Sequence, residues 1–281
     1  MHAAPVNRIL RSSSVDGPGN RAAVFLQGCN FNCVYCHNGE TINLCNACGL
    51  CLAACPARAL SAGHEGAAPR WDRSACVLCD ECIRVCPHSA SPRVRLLDAE
   101  AAVAEIGPSL PFIRGITVSG GECTLYPEFL TELGERARAL GKSFFLDTNG
   151  SHDFSNDSAL FEVTGGVMID IKADPENPEE YRAVSGAGGE GILENAEWCA
   201  ERGKLYEVRT VVSPGLFDAA NVVEKVCRRL RGAWGWRYKI IRYRPAGVRP
   251  ENAGALRMPD DALLGSLGRI CGAYRVPYVI V

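Results

Sequence analysis

The chain has 281 residues, 47% of them apolar and 22% charged, with a net charge of −2. That length buries enough apolar surface to fold without disulfide staples, and the charge balance offers no basic field for nucleic acid or anionic lipid. No apolar run reaches the ~18 residues of a membrane span and the start lacks a signal-peptide core, so a cytoplasmic, soluble protein is expected, monomeric alone, with no nucleic-acid or membrane partner.

Taken in chain order, short apolar runs predict strands at Ala22–Gln27, Gly115–Ser119, Ser143–Asp147, Val167–Lys172, Leu205–Val212, Tyr238–Tyr243 and Val276–Val281. Amphipathic stretches between them predict helices at Ala99–Ile106, Glu128–Leu140, Ser158–Val163, Leu193–Arg202, Ala219–Leu230 and Asp260–Tyr274. Strands alternating with helices read as parallel βαβ units, in a barrel or an open sheet. Either arrangement gathers functional residues at the carboxyl ends of the strands. Special residues fall there: Gln27-Gly28-Cys29, Ser119-Gly120-Gly121-Glu122, Asp147-Thr148-Asn149-Gly150 and Asp170-Ile171-Lys172.

One stretch, residues 44–92, breaks the alternation and reads as an insert between the first of these strands and the next helix, leaving residues 1–43 and 93–281 as the core. Eleven of the 15 cysteines lie between Cys29 and Cys86, which in a reducing compartment means metal binding or redox chemistry. The insert holds one motif twice, Cys45-x2-Cys48-x2-Cys51-x3-Cys55-Pro56 and Cys76-x2-Cys79-x2-Cys82-x3-Cys86-Pro87. This is the spacing of two-cluster bacterial ferredoxins, in which the fourth Cys of each run serves the other cube. It assigns Cys45, Cys48, Cys51 and Cys86 to one [4Fe–4S] cluster and Cys76, Cys79, Cys82 and Cys55 to a second. Structural zinc would call for two CxxC pairs and no fourth Cys-Pro.

Upstream, Cys29, Cys33 and Cys36 form an x3/x2 triad with no fourth Cys nearby. A third cube held there would keep one iron open, and open metal positions are where substrate chemistry occurs. Cys33-Val-Tyr-Cys36-His37 also matches the haem-attachment string, but no export signal accompanies it. The glycine pattern Gly186–Gly191 follows a helix-like segment rather than a strand, which denies it a dinucleotide role.

The triad at the end of a first strand resembles the radical SAM superfamily. Asp16-Gly17-Pro18-Gly19-Asn20-Arg21, Phe25-Leu26-Gln27-Gly28-Cys29 and Tyr35-Cys36-His37-Asn38 narrow the resemblance to the activating enzymes of glycyl-radical enzymes. Gly121-Glu122-Cys123-Thr124-Leu125 is most similar to their YjjW-like branch. The resemblance implies an α/β fold, a (β/α)6 partial barrel with the ferredoxin-like insert. It also implies a mechanism: the open iron chelates S-adenosylmethionine (SAM), one electron breaks the C5′–S bond, and the 5′-deoxyadenosyl radical takes a Cα hydrogen from a glycine of a partner enzyme. Three [4Fe–4S] clusters, SAM, a monovalent cation and a flavodoxin or ferredoxin donor complete the expected set.

Residue roles carried by the resemblance are Gly120, Gly121 and Glu122 at the methionine amino group and Asp147 and Thr148 near the ribose and methionine end. Asp170 and Lys172 are placed near the carboxylate, Tyr35 on adenine and His37 beside it. Asp147, Thr148, Met168 and Asp170 match a cation site, and Asp16, Gly17 and Arg21 are expected near the partner's glycine loop. Arg244 stands where relatives carry a His that reaches SAM, and Cys123 replaces a Pro. Plainer readings exist for each alone: a cap for Asp147, packing for Tyr35, core for Met168, a simple ion pair for Asp170 and Lys172. Two other functions stay open, a radical SAM enzyme with auxiliary clusters acting on a peptide or small molecule, and a non-catalytic iron–sulfur electron carrier.

Overall fold

The computed structural model describes residues 1–281. A long strand, β1 (Ala3–Ser13), folds back onto β2 (Arg21–Leu26). After β2 come the triad loop and a small module of α1 (Leu50–Ala54), β3 (Leu60–Ser61), β4 (Arg70–Trp71) and α2 (Glu81–Arg84). The chain rejoins the main sheet at β5 (Arg95–Asp98). From there strands and helices alternate: α3 (Ala99–Ile106), β6 (Gly115–Gly120), α4 (Pro127–Ala139), β7 (Ser143–Thr148), α5 (Ser158–Val163), β8 (Gly166–Asp170), α6 (Pro178–Ser185) and α7 (Ile192–Glu201). The remainder is β9 (Leu205–Val212), α8 (Ala219–Arg229), β10 (Arg237–Arg242), α9 (Pro250–Ala253), α10 (Asp261–Ala273) and β11 (Tyr278–Ile280).

Nine strands form one sheet in the order β11-β10-β9-β8-β7-β6-β2-β1-β5, and only β1 runs against the rest. Parallel strands flanked on both faces must be apolar throughout; accordingly every residue of β2 is buried, as are the first five of β6. Asp98, Asp218 and Asp260 cap α3, α8 and α10 by accepting from backbone N–H groups in the first turn. One cluster of 53 buried apolar residues unites the sheet with its helices. All seven strands expected from the sequence are present within two residues of their expected bounds. The additions to the main sheet are β1 and β5, which bring it from seven strands to nine; Pro5 and a bulge near Val6 and Arg8 interrupt the alternation that would have revealed β1.

Arg21 is wholly buried at the start of β2, in register with Gly115 and Ser143. It therefore lies at the amino ends of the strands, opposite the triad. Its guanidinium donates to Thr117 Oγ1 (2.7 Å), Ser143 Oγ (2.9 Å) and the carbonyls of Ile116 and Ser143 (2.8 and 3.1 Å), and stacks on Phe145. No carboxylate pairs with it, and burial pulls its pKa down to about 10. Arg21, expected near a partner's glycine loop, presents no exposed surface of its own. Thr117 passes the contact on, donating to the Asp16 carbonyl at 2.6 Å, while Gly17 packs on the Arg21 stem so closely that a Cβ would sit 2.9 Å from Cδ. Arg21 thus fixes the 16–17 turn from below. Replacing it with Ala opens a cavity and strands several acceptors, so Arg21→Ala should lose about 3 kcal/mol or more of unfolding free energy in anaerobic urea titration.

Candidate active site

The ends of β2 and β6 meet so tightly that side chains are impossible. A Cβ on Gly120 would lie 2.2 Å from the Leu26 nitrogen, and one on Gly121 would lie 2.0 Å from the Gly28 oxygen. Gly120 also has a φ of +118°, a conformation reserved for glycine. The Glu122 N–H donates to the Gly28 carbonyl at 2.7 Å, joining the two strand ends directly. The triad loop that follows is pinned on both sides: Cys29 N–H bonds the Ile42 carbonyl, Asn32 N–H the Ser185 carbonyl, and Val34 N–H the Val184 carbonyl at the end of α6.

This anchoring brings Cys29, Cys33 and Cys36 to a cavity of about 150 Å³ with Tyr35, His37, Gly120, Gly121, Asp147, Thr148, Asp170 and Lys172 in its walls. Ser119, Asn149 and Val211 also line it. Lys172 Nζ pairs with Asp170 Oδ2 at 2.6 Å. Burial opposes the ammonium, but Asp170 and the neighbouring Cys33 and Tyr35 outweigh it and raise its pKa. The Tyr35 hydroxyl donates to the Lys172 carbonyl at 3.1 Å, fixing the ring across the cavity. Burial likewise raises the thiols, Cys29 to about 12 and Cys33 to about 11, with Cys36 also raised.

Behind the cavity the lumen holds a charged layer that the sequence reading passed over. Arg209 on β9 donates to Asp147 Oδ1 (2.7 Å), Glu207 Oε1 (2.6 Å) and Met168 Sδ (2.8 Å). Burial works against the guanidinium, yet Asp147, Asp170 and Glu207 keep it charged. Asp147 is raised to about 6 by burial, with Arg209 partly offsetting that. A guanidinium therefore already lies between Asp147 and Met168, and the Met168 sulfur is engaged as its acceptor rather than free as a metal ligand. The available signal was the charged alternation of Glu207 and Arg209 inside a strand otherwise apolar.

Glu122 and Arg244 stand differently from the other expected site residues. Glu122 does not line the cavity and is 1% exposed. Its Oε1 accepts from Thr124 N–H (3.0 Å), Thr124 Oγ1 (2.7 Å) and Thr148 Oγ1 (2.7 Å), and its Oε2 from Asn149 N–H (2.7 Å). It binds the β6 end to the β7 end. The Arg244 side chain is exposed and absent from the cavity walls; its main chain bonds the His37 ring. Asp16 and Gly17 lie on the lumen side, where Asp16 contributes to the raised pKa of Asp147. Cys123, Cys199, Cys227 and Cys271 are fully buried.

The eight cysteines of the module surround two smaller cavities. Cys45, Cys48, Cys51 and Cys86 line one, with Cys82 at its edge; Cys55, Cys76, Cys79 and Cys82 line the other. The module's own apolar core is three buried residues, Cys51, Leu60 and Cys82. A unit that small needs metal or covalent cross-links to hold its shape, and two groups of soft thiolate donors fit iron–sulfur cubes. At the triad, buried thiols with raised pKa values fit a cationic centre that deprotonates them on binding. No three His, Cys, Asp or Glu side chains converge on one point as a mononuclear ion requires, and a cube instead spreads its thiolates over separate irons.

Glu122→Gln would turn an N–H₂ group toward donors now facing a carboxylate. It should cost about 2 kcal/mol of stability and weaken ligand binding by displacing Thr148 and Asn149, measured by urea titration and by SAM equilibrium binding.

Comparison with known proteins places this geometry. The sequence pattern of the radical SAM superfamily matches residues 23–225. The chain is 30% identical to the isethionate sulfite-lyase activating enzyme of Desulfovibrio desulfuricans, over 86% of this chain and 84% of that one. It is 29% identical to the pyruvate formate-lyase-activating enzyme of Streptococcus mutans, over 90% and 88%. Among solved structures, QueE from Escherichia coli superposes with a TM-score of 0.57 at 14% identity, covering 99% of this chain and 94% of that one, a likeness of fold. No helix is long and apolar enough to cross a membrane. The chain is a radical SAM enzyme, a member of that superfamily homologous to the activating enzymes of glycyl-radical enzymes.

Proposed function

We propose that the protein activates a glycyl-radical enzyme by generating a radical on one of its glycines. The observation that carries this reading is the meeting of the cysteine triad with Tyr35, Gly120, Gly121, Asp147, Thr148, Asp170 and Lys172 in one cavity at successive strand ends. Relatives named as activating enzymes, two of them cited above, support the choice of protein substrate. A site-differentiated [4Fe–4S] cluster with SAM supplies one electron and a C5′–S bond to break, yielding methionine and the 5′-deoxyadenosyl radical that takes the glycine Cα hydrogen.

Cys29, Cys33 and Cys36 would hold that cluster, which would supply the site for the amino and carboxylate groups of SAM. Lys172, held by Asp170, pairs with the carboxylate, and the close Gly120-Gly121 turn admits the methionine end. Asp147 and Thr148 face the ribose side, and Tyr35, fixed through its hydroxyl, offers its ring to adenine. Arg209 occupies the space between Asp147 and Met168, where the resemblance implies a monovalent cation, while Arg237 and Lys239 supply further positive charge to Glu207. The two thiolate groups of residues 44–92, a ferredoxin-like insert, hold two more cubes that relay electrons from a flavodoxin or ferredoxin.

Anaerobic incubation of the reconstituted protein with SAM and a candidate glycyl-radical enzyme should give a glycyl EPR doublet and stoichiometric 5′-deoxyadenosine. SAM turnover with no protein radical would instead favour a small-molecule or peptide substrate. Ala at Cys29, Cys33 or Cys36 should abolish 5′-deoxyadenosine formation, and Lys172→Met should weaken SAM binding by about tenfold or more, for the loss of a buried charged hydrogen bond. Iron analysis should return about twelve irons per chain from three four-iron cubes. Replacing all eight insert cysteines should lower this to about four, spare SAM binding and block activation driven by a protein donor; full activation by that variant would rule out the relay.

A further inference from the structure

A cavity larger than the one at the triad lies elsewhere in the molecule. A cleft of about 1340 Å³ separates the barrel from the insert, bounded by β1, the turn after Cys36, the second half of the insert and the 247–251 loop. Its volume exceeds the ~300–1,000 Å³ of a small-molecule pocket. Six arginines line it, Arg8, Arg73, Arg84, Arg93, Arg95 and Arg249, against three carboxylates. Much of that charge is already paired: Arg93 with Asp80, Arg84 with Glu81, Arg73 and Arg95 with a shared Glu105, and Arg249 with Glu251, which leaves Arg8 without a carboxylate partner. A basic surplus remains in a chain whose net charge is −2.

Five buried polar side-chain atoms in the protein lack a hydrogen-bond partner, and four belong to residues of this cleft. Trp71 Nε1 faces the Cys76 sulfur, which accounts for it. Arg95 Nε has no such neighbour and Arg249 Nε has only Glu251 Oε1 at 3.9 Å; both atoms are buried in the cleft wall. Leu78, 67% exposed, and Val85 give the same cleft an apolar rim. Arginine beside exposed apolar side chains is the composition of a protein interface.

The cleft also touches both ends of the expected electron route. Cys76 and Cys86, one from each thiolate group, lie in its wall, as do His37 and Asn38, which directly follow Cys36. Arg249 reaches from the cleft to the triad loop, donating to the Asn32 and Cys33 carbonyls at 3.4 and 3.3 Å.

We propose that this cleft is the docking site for the acidic face of a one-electron carrier protein. The inference rests on the functional reading above. On docking, the carrier loses one electron and an iron–sulfur centre of the insert gains it, with no bond or proton exchanged. Carboxylates of the carrier meet the exposed Arg8 and Arg84, and its apolar contacts meet Leu78 and Val85.

The test uses the reconstituted full chain and an acidic flavodoxin, with oxidised flavodoxin binding followed by flavin fluorescence. Wild type should bind it with an affinity that falls as salt rises. The double variant Arg8→Glu/Arg84→Glu should weaken binding at least tenfold, and Arg8→Gln/Arg84→Gln less but in the same direction, each with wild-type iron content. Dithionite-driven SAM cleavage, which bypasses docking, should continue in both. Unchanged flavodoxin affinity in both variants, or a loss confined to the glycyl-radical enzyme, would overturn the docking assignment. Wild type that cleaves no SAM even with dithionite would defeat the functional reading itself, a separate result.

Discussion

The active-site end of this protein depends on how closely two strands finish. Gly120 and Gly121 allow β6 to end against Leu26 and Gly28 with no side chain between them, and Glu122 then locks the junction by spending its carboxylate on four donors from the β6 and β7 ends. A buried carboxylate is costly unless its acceptors are filled. Here the filling groups are the ones that must be held still: Thr148 and Asn149 form part of the cavity wall. The site is rigid because the buried charge that would destabilise it has been used to organise it.

A second layer of charge lies behind that junction. Asp147, Arg209 and Glu207 form a chain of contacts across β7 and β9, and Lys172 with Asp170 adds a pair on β8. Each group is uncomfortable alone in the lumen and tolerable beside its neighbours. Removing any one would leave another charge uncompensated, so these residues behave as a unit rather than as independent ligands. Burial raises the pKa values of the triad thiols, and the Lys172 ammonium and backbone N–H groups offset that only in part.

Much of the fold was legible because parallel strands write a simple signal, short apolar runs ending in Gly, Asp or Ser. Asp98, Asp218 and Asp260 announced their helices for the same local reason. What was not legible was direction and distance. The string from Asp16 to Arg21 reads as one motif, yet the strand begins at its last residue, placing Arg21 at the opposite end of the barrel from the cysteines. Glu122 stands beside two cavity glycines, but a sequence does not tell which way a carboxylate turns. Arg209 was hidden for the converse reason: its partners arrive from other strands, and no local spacing reports them. β1 was obscured by Pro5 and a bulge, although its pairing is the most extensive in the sheet.

The turn at residues 15–17 has one more implication. The Asp16 carbonyl is held by Thr117 on β6 and the Val15 carbonyl by Lys239 on β10, at 2.6 and 3.4 Å. Those strands stand four places apart in the sheet, so the turn crosses the lumen from one side to the other, with Arg21 bracing it beneath. The amino-terminal side of the sheet is therefore floored by the protein's own chain, a single turn held at once by β6 and β10.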